Sequence, residues 1–476
     1  MSRRSLESLY LATQPLVLNL LALPVMAFVV RSQGDENFGQ WQTAMTITGT
    51  VGVLSHLGLR PYFVRAIAQE PDSAGERLAE QLGLRLALAT LGAVLAIGAS
   101  LLLGHSRIVV LCTVIASLGN LINAAAVCFA DVLEGLERFL AYTNVAFLSG
   151  ISLQVASILV GMAGWGPIAL SLAYLMAPTV SLAFQAIVVH RTGGIRLHLQ
   201  PRRWMALLRT CRAQSRANLL GAIEDRGEPL ILPKVTDYAN MGHFAAGNIP
   251  ASRLVSIPYG LSSYYFPKLA RRHAAGQDLS ETVTHLLTLL LLLTLPITLG
   301  VCHLSGWVSG LLFPTAPDLC AEVMRWTAWS LPLAALGSGF MCSLQAAGRI
   351  DQTARIELLT IVIGLLVTIV CVFQGGVFGA ALSWLARAAI GTALLLPAFW
   401  RLFFPGFAGV PWGRLAAACL LMQGTFSGAR WLPLSPTTIL WGSAVAGSLV
   451  FLGFLALTGV LRPTRVGAML SGGTDI

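Results

Sequence analysis

Apolar runs of roughly twenty residues recur from about Leu9 to Leu461, separated by short polar connections. A hydrocarbon core of about 30 Å is crossed by roughly 20 helical residues, so the pattern predicts about fourteen membrane spans. They fall at about 9–30, 40–60, 84–104, 108–130, 140–163, 167–189, 214–236, 243–267, 282–303, 322–345, 353–374, 377–399, 413–430 and 437–461. Gln423, Ser427 and Arg430 interrupt the thirteenth, which leaves twelve spans plus a re-entrant piece as the alternative. The first span follows the basic pair Arg3 and Arg4 and has no small-residue cleavage site, so it is expected to stay as a mature helix.

Within several spans the polar residues keep helical spacing. Gln42, Thr46, Gly49 and His56 share one face of the second span; Ser171, Tyr174, Pro178, Ser181 and Gln185 share one face of the sixth. A lipid-facing helix has no reason to sort its polar groups in this way, so these stripes should look inward. The chain also repeats. An ungapped offset of 203 aligns Arg31 with Lys234, Gly39 with Gly242, Tyr62-Phe63 with Tyr265-Phe266 and Arg65 with Lys268. That offset equals one six-span unit, and an even number of spans keeps the repeats in one orientation, related by an axis along the membrane normal. The expected fold is an all-α polytopic membrane protein of 12–14 transmembrane helices. Residues 1–200 form an N-terminal lobe of six helices, 201–404 a C-terminal lobe of six, and 405–476 two additional spans.

Composition agrees. Of 476 residues 55% are hydrophobic and 11% charged, with a mean hydropathy of +0.73, values that exclude a soluble globular domain of this size. The net charge of +10 rests on 29 Arg and only Lys234 and Lys268. Their distribution, concentrated at the N-terminus, in alternate connections and at the C-terminus, is a positive-inside pattern that places both termini in the cytoplasm and argues against nucleic acid as a partner. The most basic connection, His190 to Arg216, is expected to lie on anionic headgroups as the hinge between the halves. The long connection 65–85 is expected to be a solvated cytoplasmic loop, with an amphipathic helix within it as the alternative. The eight cysteines lack CxxC or CxxH spacing and read as small packing residues. Neither a metal nor a cofactor is expected, and the absence of a P-loop lysine motif, a GxSxG elbow or HExxH argues against an enzyme.

The candidate chemistry lies in charges inside apolar spans, each costing roughly 2.5–3.5 kcal/mol even on lenient insertion scales. Arg226, Arg253 and Arg387 lie within spans, and Arg31 ends the first. Arg226 has no acidic residue three or four positions away on its own helix, so its counter-charge comes from another helix, water or a bound anion. These four are the candidate substrate-binding residues, in a cationic cavity between the lobes; the alternative for each is an internal salt bridge. Asp225, Glu224 and Glu228 are candidates for ion coupling or for counter-charge to an arginine.

Phe38-Gly39-Gln40-Trp41, Leu57-Gly58-Leu59-Arg60 and Phe63-Val64-Arg65-Ala66-Ile67-Ala68 resemble the N-terminal signature of the Wzx-type polysaccharide flippases. That family belongs to the multidrug/oligosaccharidyl-lipid/polysaccharide exporter superfamily. Asp225, the 238–247 segment and Tyr265-Phe266-Pro267-Lys268-Leu269 resemble the matching part of the second lobe. The resemblance implies a flippase that carries an undecaprenyl-pyrophosphate-linked oligosaccharide across the bacterial cytoplasmic membrane by alternating access, ion- or potential-coupled. Glycosyltransferases and a glycan polymerase would then be its partners. The alternatives are a lipid II flippase, a drug/cation antiporter of the same superfamily or a membrane-embedded glycan polymerase or ligase. Arg253 falls where the lipid II flippase branch also places a cavity arginine, whereas the second span has His56 and Arg60 in place of a mid-helix arginine.

Overall fold

The computed structural model describes residues 24–190, 201–211, 226–429, 431 and 435–460, with isolated positions in 14–22 and 215–222. Among them every regular element is helical. Seven helices are long and apolar enough to cross a membrane by length and composition alone, and one of these, Ile350–Ala408, contains two limbs. The chain divides into two compact units, Met1–Ala245 and Ala246–Ile476.

In the first unit, α1 (24–33) leads to α2 (Asp35–Gly52), a 3-10 turn (Val53–Ser55) and α3 (Leu59–Gln69). Next come α4 (Ala74–Leu102), α5 (Arg107–Gly135), α6 (Phe139–Ala163), α7 (Gly166–Tyr174) and α8 (Met176–His190). The connecting α9 (Pro201–Thr210) and the short α10 (Gly227–Val235) follow. Helix α5 is the centre, packing against α2, α3, α4, α6, α7 and α8. Its buried face carries Cys112, Ala116, Gly119, Ala124, Cys128 and Ala130. Such small side chains let helix backbones approach closely where lipid offers no hydrophobic drive for association. At Gly119 an added Cβ would lie 3.1 Å from Leu175 and 3.3 Å from the Tyr174 ring. Helix α9 docks by its apolar side, with Leu207, Leu208, Trp204 and Cys211 in one cluster with Leu59, Phe63 and Leu84.

The second unit comprises α11 from Ala246 on (the helix spans Tyr238–Leu254), α12 (Ser256–Ala274), α13 (Ser280–Leu312), α14 (Pro317–Ala328), α15 (Ser330–Ala346), α16 (Ile350–Ala408), α17 (Trp412–Ala429) and α18 (Pro436–Leu457). Helix α16 is two limbs folded at Gly376, whose φ of 53° only glycine adopts without strain. Here α13 is central, touching α12 and α14 to α18. Its face Leu286, Leu287, Leu290 and Leu291 joins Tyr265, Phe340, Phe399, Met422 and Phe451 in one core. Leu102, Leu420 and Leu457 stand 90%, 73% and 89% exposed, an arrangement that suits a lipid solvent. The weak thirteenth span folds as the continuous helix α17.

Four spans expected to be continuous are broken, and each break falls three residues before a proline. The pairs are Gly58 and Pro61, Leu175 and Pro178, Val255 and Pro258, and Trp329 and Pro332. Proline has no N–H for the carbonyl four residues earlier. Two of the freed carbonyls are recovered by hydroxyls: Ser215 Oγ donates to Leu57 O at 2.7 Å, and Thr298 Oγ1 donates to Ala328 O at 3.2 Å. The first break is the widest, with Leu57 at φ 26° and Gly58 left-handed at φ 67°.

Candidate functional site

The second-span stripe is where a predicted arginine lands. Arg226, half-buried at the start of α10, donates from Nη1 to Met45 O on α2 at 3.4 Å. A Cβ at Gly49 would lie 1.9 Å from the same nitrogen, so Gly49 makes the seat for the guanidinium. Tyr174 of α7 is close enough to feel the Arg226 charge. Glu228, two residues on, is wholly buried.

The start of α11 is fastened to α2 and to the α4–α5 connection. A Cβ on Gly39 would meet Tyr238 O at 1.6 Å, and one on Gly242 would meet Asp35 O at 2.4 Å, so the two helices cross at contact distance only because both positions are glycine. Beside the crossing, His243 Nε2 lies 3.1 Å from Asp35 Oδ2. The Tyr238 hydroxyl accepts from Ser106 N at 3.2 Å and lies 3.1 Å from His105 Nδ1. Its own proton is then available for Nδ1, which requires the tautomer protonated at Nε2. Burial and then the Lys234 charge push the His105 imidazole down to about 4, consistent with its accepting a bond. Lys234 Nζ donates to Leu103 O.

A buried ionic cluster, which the sequence did not single out, ties α3, α4 and α5. Arg85 and Asp131 are both wholly buried and pair at 2.5 Å. Arg60 Nε lies 3.6 Å from Asp131 Oδ1, while Arg60 donates to Glu134 at 3.0 and 2.5 Å and lies over the Tyr142 ring at 5.6 Å. His56, in the break, feels both arginines. The expectation of a solvated 65–85 connection is corrected here: α4 begins at Ala74, and Glu80, Gln81 and Arg85 are 4%, 0% and 0% exposed. Charge can enter the interior because its counter-charge waits on α5.

In the second unit Arg387 is 8% exposed. It lies over Trp384 at 5.2 Å, and its stem fills the space at Gly364, where a Cβ would be 3.1 Å away. Trp384 is held by a 3.1 Å bond to Ser330 Oγ. Arg253, in the last turn of α11, is exposed, as is Arg31 at the end of α1. The structure thus gathers Arg226 and Glu228 in the first unit and sets Arg253 and Arg387 in unlike surroundings in the second. Glu224 and Asp225 lie outside the described residues. Between α17 and α18 runs a groove of about 610 Å³ lined by apolar and small residues, among them Leu420, Leu421, Gly424, Gly428, Gly442 and Ala446.

Residues 28–316, more than half of the chain, match the sequence profile of a family described as "Polysaccharide biosynthesis protein". No curated protein matches by sequence. The fold is similar to that of "Lipid II flippase MurJ, inward closed conformation", at TM-score 0.76 and 14% identity over 95% of this chain and 100% of that one. It is also similar to an inward-facing "multidrug resistance MATE family transporter of the MOP superfamily", at TM-score 0.54 and 15% identity over 81% and 94% of the two chains. At these identities the likeness is one of fold.

Proposed function

We propose that this chain, which belongs to the polysaccharide biosynthesis protein family, is a flippase that carries an undecaprenyl-pyrophosphate-linked oligosaccharide across the bacterial cytoplasmic membrane by alternating access. Both termini lie in the cytoplasm on this reading, as the arginine distribution requires. A fold similar to that of known transporters favours movement over chemistry.

The observation that carries the reading is the Arg226 seat. A guanidinium held half-buried against the polar face of α2, with Gly49 cleared beneath it, is a costly placement within an apolar span. Its donors match a pyrophosphate, for which arginine offers a planar fork of N–H groups. The α17–α18 groove supports the same substrate, because an apolar channel floored by glycine and alanine suits an isoprenoid tail. Arg387, stacked on Trp384, supplies a second cation in the other unit.

Arg226→Ala tests this in cells that export a labelled polysaccharide. Export should stop while the amount of protein in the membrane stays level, and export at the native rate would sink the reading.

A further inference from the structure

We propose that Asp131 is a proton-binding carboxylate of the first unit, held between Arg85 and Arg60, and that its protonation moves the helix that seats Arg226. The inference rests on the flippase reading and names the ion that would drive it. The sequence directed attention to carboxylates of the second lobe for this role; the geometry points to α5.

The argument starts from unmet bonds. Arg85 is wholly buried, and only Nη2 has a partner, Asp131 Oδ2; Nε and Nη1 have none among the described residues. On the same face of α4, one turn earlier, Gln81 donates to Cys128 O while its Oε1 has no partner. Asp131 Oδ1 accepts no hydrogen bond and has only Arg60 at 3.6 Å. Two donors and two acceptors thus converge in the α4–α5 seam, and a structural ion pair would be expected to satisfy them, since each buried unmet group costs about 1–3 kcal/mol. Further along the seam, Thr48, Ser55, Ser117 and Asn120 line a cavity of about 10 Å³, room for one water. Ser117 Oγ has no partner either.

The cluster has one open side. Arg60 and Glu134 are 46% and 28% exposed, against zero for Asp131 and Arg85, so this pair is the side from which a proton would enter. With Arg60, Arg85, Asp131 and Glu134 all ionised the four charges sum to zero. When a hydronium gives its proton to Asp131 Oδ1, a new O–H bond forms, water leaves and the cluster carries one net positive charge. Oδ2 still accepts from Arg85, but Arg60 is then held by Glu134 and Tyr142 without the Asp131 charge. The other groups facing the carboxylate are His56 of the break, Cys128 of α5 and Tyr142 of α6.

Arg60 belongs to α3, and α3 continues through the 56–58 break into α2, which carries Met45 and Gly49 of the Arg226 seat. Loosening Arg60 at one end of this broken helix therefore bears on the anion site at the other. The wide break, with its two left-handed residues, is the joint about which the two limbs change angle.

The test uses full-length protein in nanodiscs of phosphatidylethanolamine and phosphatidylglycerol, titrated from pH 9 to pH 4 and followed by the infrared carbonyl stretch of protonated carboxyls. Native protein should show a band that Asp131→Asn removes. Because that change strands the Arg85 charge, Arg85→Gln with Asp131→Asn is the second variant, which should melt near the native temperature and also lack the band. In cells, the double variant should export glycan far more slowly than the native protein, at a rate that no longer responds to collapse of the pH gradient. Persistence of the band in both variants, or a native response of export to the gradient, overturns the proposal. A native protein that exports no glycan overturns the flippase reading alone, and the infrared titration still decides the proton site.

Discussion

Single side chains carry the costs that make this protein specific. Removing one member of a buried ion pair strands the other, at about 3–5 kcal/mol, whereas replacing both by apolar groups of similar shape is often neutral or stabilising. Asp131→Leu should therefore lower the melting temperature strongly, and adding Arg85→Met should recover most of the loss, as read by thermal unfolding in detergent. Gly49 gives a contrasting case. A methyl there meets only the far end of the Arg226 side chain, so Gly49→Ala should fold normally yet reduce glycan export as the guanidinium is displaced. Arg226 itself was visible in the sequence because an arginine inside an apolar span is costly. The Arg85 and Asp131 pair was not, because its partners lie 46 residues apart and each stands near a charged connection that reads as solvated.

At the scale of elements, hydropathy finds the spans and prolines mark where they break. Pro61, Pro178, Pro258 and Pro332 act alike, each three residues downstream of an interruption. What sequence cannot show is which neighbour satisfies the carbonyl each proline releases. Thr298 does this for Ala328, so Thr298→Val should cost about 1 kcal/mol. In a background of Pro332→Ala, where the helix supplies its own N–H, the same change should cost much less, and a double-mutant cycle on melting data measures the difference. Gly58 and Leu57 extend one break beyond the proline effect through their left-handed backbone.

For the whole molecule, the expectation of an all-helical membrane fold came from span counting, and the family match and fold neighbours agree with it. Which charges meet is a tertiary fact that no periodicity encodes. Stability should also respond to pH through the α4–α5 connection. His105 titrates near 6.5 when unfolded and near 4 in place. Its depressed value means that the unfolded chain binds the proton first, so stability is whole above about pH 6.5 and falls as the pH drops toward 4. Protonated His105 could no longer accept from Tyr238. His105→Gln should accordingly narrow the difference in melting temperature between pH 7.5 and pH 5.

The crossing of α2 and α11 carries a further consequence. Gly39 meets Gly242, and each looks onto the carbonyl of the other's partner four residues back, Tyr238 in one direction and Asp35 in the other. These are repeat-equivalent positions, so residue i touches j while j touches i. That is the isologous geometry of a twofold homodimer, now written within one polypeptide. A side chain at either glycine would meet a carbonyl of the facing helix, so the two positions constrain each other.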